Sequence, residues 1–219
     1  MTHSVLRRVN DHLAEVVSNA RQILVHVHSD GRRGGHGAGT LWHTDGLVVT
    51  NAHVVHSRRM KVTLPDGETY PARLLATYKG RDLAALAIES DDDDLELALP
   101  VVEPGDSRSL QDGDWVIAIG HPWGVAGAAA AGVVIGVGHS PEMARELGDF
   151  VQVSLQLRPG HSGGPLLDAH GRLVGINVMM AGPEVGLAVP VHAVKFFLRQ
   201  ALGSAEKPLE PERHYSQVI

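Results

Sequence analysis

"RPGHSGGPLLD", residues 158–168, sets a single serine among three glycines and brackets the group with a proline on each side. Glycine reaches backbone conformations that other residues avoid, and proline fixes φ near one value. Together they predict a tight turn that holds Ser162 in one pose, with uncovered backbone N–H groups beside it. Such a turn is either plain structure or a nucleophile next to an oxyanion hole. The surrounding sequence has to choose. The apolar residues that follow run into "LLDAHGRLVGI", where His170–Gly171 separates two apolar segments as a hairpin turn would.

The same design recurs outward from this point. Asp45–Gly46 in "HTDGLVV" and Asp66–Gly67 in "LPDGETY" each lie between two apolar segments. "ILVHVH" (23–28), "DWVIAIG" (114–120), "GVVIGVG" (132–138) and "FVQVSLQL" (150–157) read as strands. Many short strands with regular turns predict a mainly all-β chain, an antiparallel barrel or sandwich. "GGHGAGT" (34–40) reads as a flexible loop leading into a strand. Its G-x-G is followed by a hairpin and not by the helix that a dinucleotide loop needs. Helices are expected at the two ends. Leu6, Val9, Leu13, Val16 and Ala20 recur at helical steps over residues 5–20. Pro190 opens a stretch with Val191, Val194, Phe197, Leu198 and Ala201 on one face, and Gly203 closes it. Residues 204–219 are polar and proline-bearing and read as a flexible tail.

Composition narrows the classes of function. The chain has 219 residues, 43% of them hydrophobic, enough for a sizeable core. A formal net charge of −6 argues against nucleic acid as a partner, because phosphate binding needs a basic surface. Without cysteine there are neither disulfides nor thiolate metal sites. "MTHSVLRRVNDHL" has no apolar signal core and no run reaches membrane-spanning length. The expectation is a cytoplasmic protein as the sequence stands, extracytoplasmic if a leader was removed. Of the fourteen histidines only His26 and His28 are closely spaced, and each is expected to have a structural or surface role. The "DDDD" run (91–94) lacks the spaced ligands and glycine turn of a calcium loop and reads as a solvated acidic loop.

Three constellations carry chemistry. "VVTNAHVV" (48–55) is an apolar strand running into a small-residue turn that ends at His53. "GRDLAALAI" (80–88) places Asp82 before an alternating apolar strand. Alone, the first is also read as a half-buried histidine and the second as a turn or capping residue. With Ser162 they give the order His–Asp–Ser. Acyl transfer by a serine needs a base for the hydroxyl proton and a carboxylate to orient that base.

"TNAHVV", "RDLAALAI", "GHPWGV" and "RPGHSGGPLLDAHGRLVGIN" resemble the HtrA (Deg) branch of trypsin-like serine proteases, over residues 12–200 or so. The resemblance implies two six-stranded antiparallel β-barrels of chymotrypsin type, with a helix before and a helix after them. The expected organisation is an N-terminal helical segment (1–22), a protease domain (23–203) in halves of roughly 23–105 and 106–203, and the tail. His53 and Asp82 would come from the first half and Ser162 from the second. The implied activity is endoproteolysis of unfolded or damaged protein or peptides, with neither cofactor nor metal. Many members of the branch are homotrimers, although the N-terminal segment here lacks aromatic residues to anchor one.

On this resemblance Ser162 is the nucleophile, His53 the general base and then acid, and Asp82 the group that fixes the imidazole. The oxyanion would sit at the backbone of Gly160 and Ser162, with His161 between them. Leu157, Val178 and Met180 would line the pocket for the residue before the scissile bond. None carries charge, so small or medium aliphatic side chains are expected there. An extended substrate would pair with the 178–180 strand. Three departures from the family pattern stand out. His161 replaces the usual asparagine and adds a titrating group beside the hole. "GINVMM" replaces "GINTA", so Val178 lacks a hydroxyl for the aspartate. No peptide-binding PDZ domain follows residue 203.

Two rival readings remain. Gly160–x–Ser162–x–Gly164 also fits a hydrolase nucleophile elbow, which needs a helix straight after the serine where Pro165 and a hairpin-like run stand. The other is a protease fold kept as a catalytically silent peptide-binding or scaffolding module.

Overall fold

The structure is a computed structural model that describes residues 2–29, 36–90, 99–139 and 148–203. The "DDDD" run and the 204–219 tail lie outside the described residues. Strands β1 (Leu24–His28), β2 (His36–His43), β3 (Leu47–Thr50), β4 (Arg59–Thr63), β5 (Thr69–Tyr78) and β6 (Leu83–Ile88) form one closed barrel in the order β1-β2-β3-β6-β5-β4. Strands β7 (Trp115–Gly120), β8 (Ala128–His139), β9 (Asp149–Val153), β10 (Pro165–Asp168), β11 (Leu173–Gly182) and β12 (Val185–Pro190) form a second. Followed from β7, its order is β7-β8-β9-β12-β11-β10, the connectivity of the first barrel repeated. All the strand pairs are antiparallel. Closure gives every strand two neighbours in its barrel, and β11 runs on beyond its pairing with β10.

The turns explain the register. Gly46, Gly67 and Gly171 take φ of 80°, 95° and 81° in the β2–β3, β4–β5 and β10–β11 connections, a region costly for residues with a Cβ. The flexible loop expected over 34–40 is instead strand from His36 onward. Here the glycines serve packing. A Cβ on Gly39 would lie 2.7 Å from Val48 and 2.8 Å from Val27, and one on Gly37 would lie 2.7 Å from Val54. The small residues let the barrel wall close on its core. The strand expected over 150–157 ends at Val153, yet Leu155 and Leu157 stay buried. The apolar alternation outlasts the ladder, because the chain bends away beside Gly132 while its leucines remain inward.

Two helices flank the barrels. α1 (Thr2–Gln22) follows the predicted periodicity, and only its C-terminal half is covered: Val16 and Ala20 are buried while Val5, Leu6 and Val9 are exposed. α2 (Val191–Leu202) buries Val191, Ala193, Val194, Phe197 and Leu198. Pro190 is its N-cap with extended φ/ψ, outside the first turn. Gly203 ends it in right-handed conformation, so the stop there needs no left-handed residue. Among the described residues no helix is long and apolar enough to cross a membrane.

Candidate active site

His53 lies in a short 3-10 turn (Ala52–Val54) between β3 and β4. Asp82 stands between a second 3-10 turn (Lys79–Arg81) and β6. Because β3 and β6 are ladder neighbours, with Thr50 opposite Ala84, the two turns emerge side by side at one barrel rim. Asp82 holds the left-handed conformation (φ 52°, ψ 44°). For a residue with a Cβ this costs roughly 1–2 kcal/mol. Its carbonyl compensates by accepting from Ala52 N (3.1 Å) and Asn51 Nδ2 (3.0 Å). The twist aims the carboxylate at His53. Oδ1 accepts the His53 backbone N–H at 2.9 Å and Oδ2 accepts the ring Nδ1–H at 2.6 Å. An ionised carboxylate is an acceptor only, so this contact assigns the proton to Nδ1 and leaves Nε2 with a free lone pair. The His53 side chain is 47% exposed and that of Asp82 13%.

Ser162 arrives from the second barrel. Residues 158–161 close a turn in which His161 N donates to Arg158 O at 2.9 Å, with Pro159 and Gly160 at its centre and Gly160 at φ 104°. Proline second and glycine third with positive φ describe a type II turn. A Cβ on Gly160 would also lie 2.7 Å from the carbonyl carbon of His121 and 2.9 Å from Pro122 Cα. From Ser162 the chain enters β10 through Gly163 and Gly164. No helix follows the serine, which removes the nucleophile-elbow reading.

Almost every backbone polar group of this loop is spoken for. The carbonyls of Gly160, His161, Ser162 and Gly164 accept from His121 N, Gly164 N, Ala38 N and Asn177 N, while Gly163 N donates to Asn177 O. Thr40 Oγ1 donates to Gly163 O. Of the N–H groups of residues 158–164, those of Gly160 and Ser162 have no partner among the described residues. These two unpaired donors, two residues apart in a loop pinned by its neighbours, are available to donate to a ligand oxygen. Two of these bonds, Ala38 N to Ser162 O at 2.8 Å and Thr40 Oγ1 to Gly163 O at 3.2 Å, cross between the barrels and bring the serine loop to the His53 rim.

The serine hydroxyl does not point at His53. Its Oγ donates to the carbonyl of Val178 at 2.8 Å. Val178 thus presents its backbone to the site, and its side chain is buried in the core. Leu157 and Met180 stand together, with Leu157 N 3.1 Å from Met180 Sδ. Leu157 is buried and Met180 half-buried.

Sequence reasoning passed over several residues that build this site. Thr50 Oγ1 donates to Ala38 O at 2.7 Å, and Asn177 Nδ2 to Pro165 O at 2.9 Å, both inside the core. His121 supports the oxyanion turn through its backbone, and its ring lies 5.4 Å from that of His26. His26 in turn stacks on His28 at 4.9 Å and meets His36 edge-on at 6.4 Å. Burial first, and then His121, His28 and His36, lower the pKa of His26 to about 4. The H-x-H spacing of β1 was the available signal for this cluster. Its other members come from β2 and from the β7–β8 connection. Among the described residues no group of three or more His, Asp or Glu is arranged to hold a metal ion.

Comparison with known proteins agrees with the two-barrel fold. The trypsin-like peptidase domain family matches residues 37–176, most of both barrels and all three of His53, Asp82 and Ser162. The chain belongs to the trypsin-like peptidase family. Among curated relatives, the putative serine protease HhoA of Synechocystis is 36% identical over 170 residues, covering 75% of this chain and 42% of that protein. The mitochondrial serine protease HTRA2 of Drosophila willistoni is 31% identical, covering 97% of this chain and 52% of the relative. Among solved structures, the HtrA-type protease AlgW with a tripeptide superposes with TM-score 0.77 at 28% identity, covering 87% of this chain and 64% of that one. The HtrA (Deg) resemblance of the sequence motifs is therefore shared by the relatives and by the fold. The chain spans about two fifths to a half of the length of these curated relatives.

Proposed function

We propose that this chain is a serine endopeptidase that cleaves unfolded or damaged protein after small or medium aliphatic residues. The observation that carries the reading is the pairing of a tautomer-fixed His53 with a serine loop that keeps two amides, those of Gly160 and Ser162, unpaired. In the proposed reaction Ser162 Oγ exchanges Val178 O for His53 Nε2, a rotamer change about its Cα–Cβ bond. His53 takes the hydroxyl proton as Oγ bonds the scissile carbonyl carbon. Asp82 stabilises the imidazolium, and the Gly160 and Ser162 N–H groups receive the oxyanion. His53 then returns the proton to the leaving amine. The acyl group leaves by the same steps, with water in place of the serine.

The same hydrogen bond suggests how substrate sets this in motion. An extended peptide pairing with Val178–Met180 needs the Val178 carbonyl as an acceptor. Its N–H displaces the serine hydroxyl, and His53 Nε2 becomes the remaining partner. The uncharged Leu157 and Met180 support the aliphatic preference. Assembly as a homotrimer rests on the resemblance alone.

A silent peptide-binding module is the second reading, and the Ser162–Val178 bond is what favours it. A fluorophosphonate probe with a denatured protein mixture separates the two. Labelling at Ser162 that is lost in His53→Ala, with cuts after Ala, Val or Leu, supports the endopeptidase. No labelling, even with unfolded protein present, supports the module. Cuts after Lys or Arg would overturn the pocket assignment.

A further inference from the structure

We propose that the imidazole of His161 is a positioning group for the oxyanion turn, and that taking up a proton makes it release the turn and shut the hole. The inference rests on the endopeptidase reading above. The ring is 2% exposed and folded back under its own turn. Nδ1 lies 3.1 Å from Arg158 N and 3.2 Å from Arg158 O. The Arg158 carbonyl already accepts the His161 backbone N–H at 2.9 Å. With the proton on Nε2, Nδ1 accepts the Arg158 N–H, and both polar groups of Arg158 are satisfied. With the proton on Nδ1, the Arg158 N–H loses its partner and two N–H groups compete for one carbonyl. The first tautomer satisfies more of the site, and in it the ring clamps the turn two residues before Gly160.

A second proton removes that lone pair. Nδ1–H then opposes Arg158 N–H, and its one acceptor at hand is the Arg158 carbonyl at 3.2 Å, already taken by the His161 backbone N–H. Nε2–H, buried and without a partner among the described residues in the neutral ring as well, then carries part of the positive charge with no acceptor to offset it. Charge around the ring works in the same direction. Arg158 faces it from its own turn and His121 from the β7–β8 connection, with His26 of β1 behind His121, and no carboxylate among the described residues acts on it. Burial first, and the Arg158 charge after it, keep His161 below the ordinary histidine range, partly offset by its hydrogen bond to the Arg158 backbone. His121 Nε2 is likewise buried and unpartnered. The His121 backbone presses on Gly160, so disturbance on either side reaches the same amide.

The test is kcat/KM of the full chain on a small aliphatic peptide substrate from about pH 8 to about pH 4.5, for wild type and His161→Asn. The asparagine Oδ1 can keep the Arg158 N–H and does not titrate. Protonation of His161 adds a further tenfold per pH unit, roughly, to the acid limb that His161→Asn shows, so wild type should be steeper than the variant by about that factor at the acid end. His161→Asn should lack this steepening, and both should recover on return to pH 8. On wild-type protein, nitrogen-15 NMR of the ring should show Nδ1 as the unprotonated acceptor at pH 8, titrating at the break in the profile. This readout needs no variant to fold. Limbs of equal slope in the two proteins, or a protonated Nδ1 at pH 8, overturn the inference while leaving the endopeptidase standing. A wild type inert to both substrate and fluorophosphonate takes down the endopeptidase reading itself.

Discussion

Replacing Asp82 by asparagine probes the central contact with little disturbance of the backbone. Asparagine is among the few residues besides glycine that tolerate the left-handed conformation Asp82 adopts at φ 52° and ψ 44°. The two carboxylate oxygens divide their work: Oδ1 takes the His53 backbone N–H at 2.9 Å and Oδ2 takes ring Nδ1–H at 2.6 Å. Asparagine keeps one oxygen and gains an NH2. With the oxygen on the backbone N–H, the amide nitrogen faces Nδ1, which must then accept, and the ring proton moves to Nε2. A histidine protonated there cannot take the proton of Ser162. The opposite amide flip sets NH2 against the backbone N–H and forfeits a hydrogen bond worth about 1 kcal/mol. In the Ser-His-Asp template this wrong tautomer costs about 10⁴ in kcat, or about 5.5 kcal/mol of transition-state stabilisation. Peptide hydrolysis and the rate of fluorophosphonate labelling at Ser162 should both fall by about that factor, with Tm changed by only a few degrees. An asparagine variant within tenfold of wild type, with its Tm intact, would mean that His53 takes its orientation from elsewhere.

Two further outcomes test the scaffold. Gly163 has φ 85°, and a Cβ there would strike Ala38 O and Thr50 Oγ1, both in the first barrel. Gly163→Ala should therefore cost about 1–3 kcal/mol of stability and also lower activity by loosening the barrel seam. A chemical denaturation midpoint equal to wild type refutes that account of the seam. His26 has an ordinary pKa of 6.5, lowered to about 4 in the fold, so the unfolded chain binds its proton more readily than the native one. The stability it contributes is complete above about pH 6.5 and is lost as pH falls from there toward about 4. Tm should drop by roughly 5 °C across this window for a domain of this size, and His26→Gln should flatten the drop. Calorimetry that finds the same pH dependence in both proteins refutes the assignment.

The fold was legible wherever a local rule governs the chain. Asp45–Gly46, Asp66–Gly67 and His170–Gly171 mark real hairpins because a positive φ has to be met by the residue at that position. The two helices follow from their 3.6-residue periodicity. Reading failed where a residue answers to a distant wall. Gly37 and Gly39 look like loop residues, but they are strand residues emptied of side chain so that Val54, Val48 and Val27 can approach. Likewise the apolar alternation through Leu155 and Leu157 reports burial, which continues after the ladder has stopped.

The site divides along the same line. His53, Asp82 and Ser162 stand out because proton transfer and nucleophilic attack need particular side chains, and side chains are what a sequence spells. The proposed oxyanion cradle is defined by subtraction. Gly160 and Ser162 have free amides only because His121, Ala38, Thr40, Asn177 and Gly164 have taken the other polar groups of the loop, from β2, β11 and the β7–β8 connection. No local pattern encodes which two donors remain. Nor does one tell that His161, placed where the family pattern carries asparagine, turns its ring inward onto Arg158. The backbone of that turn comes close to Gly120, where a Cβ would lie 2.6 Å from His161 Cα. The chemistry of the site is thus written in three residues, and its geometry in the backbone bonds of four separate segments.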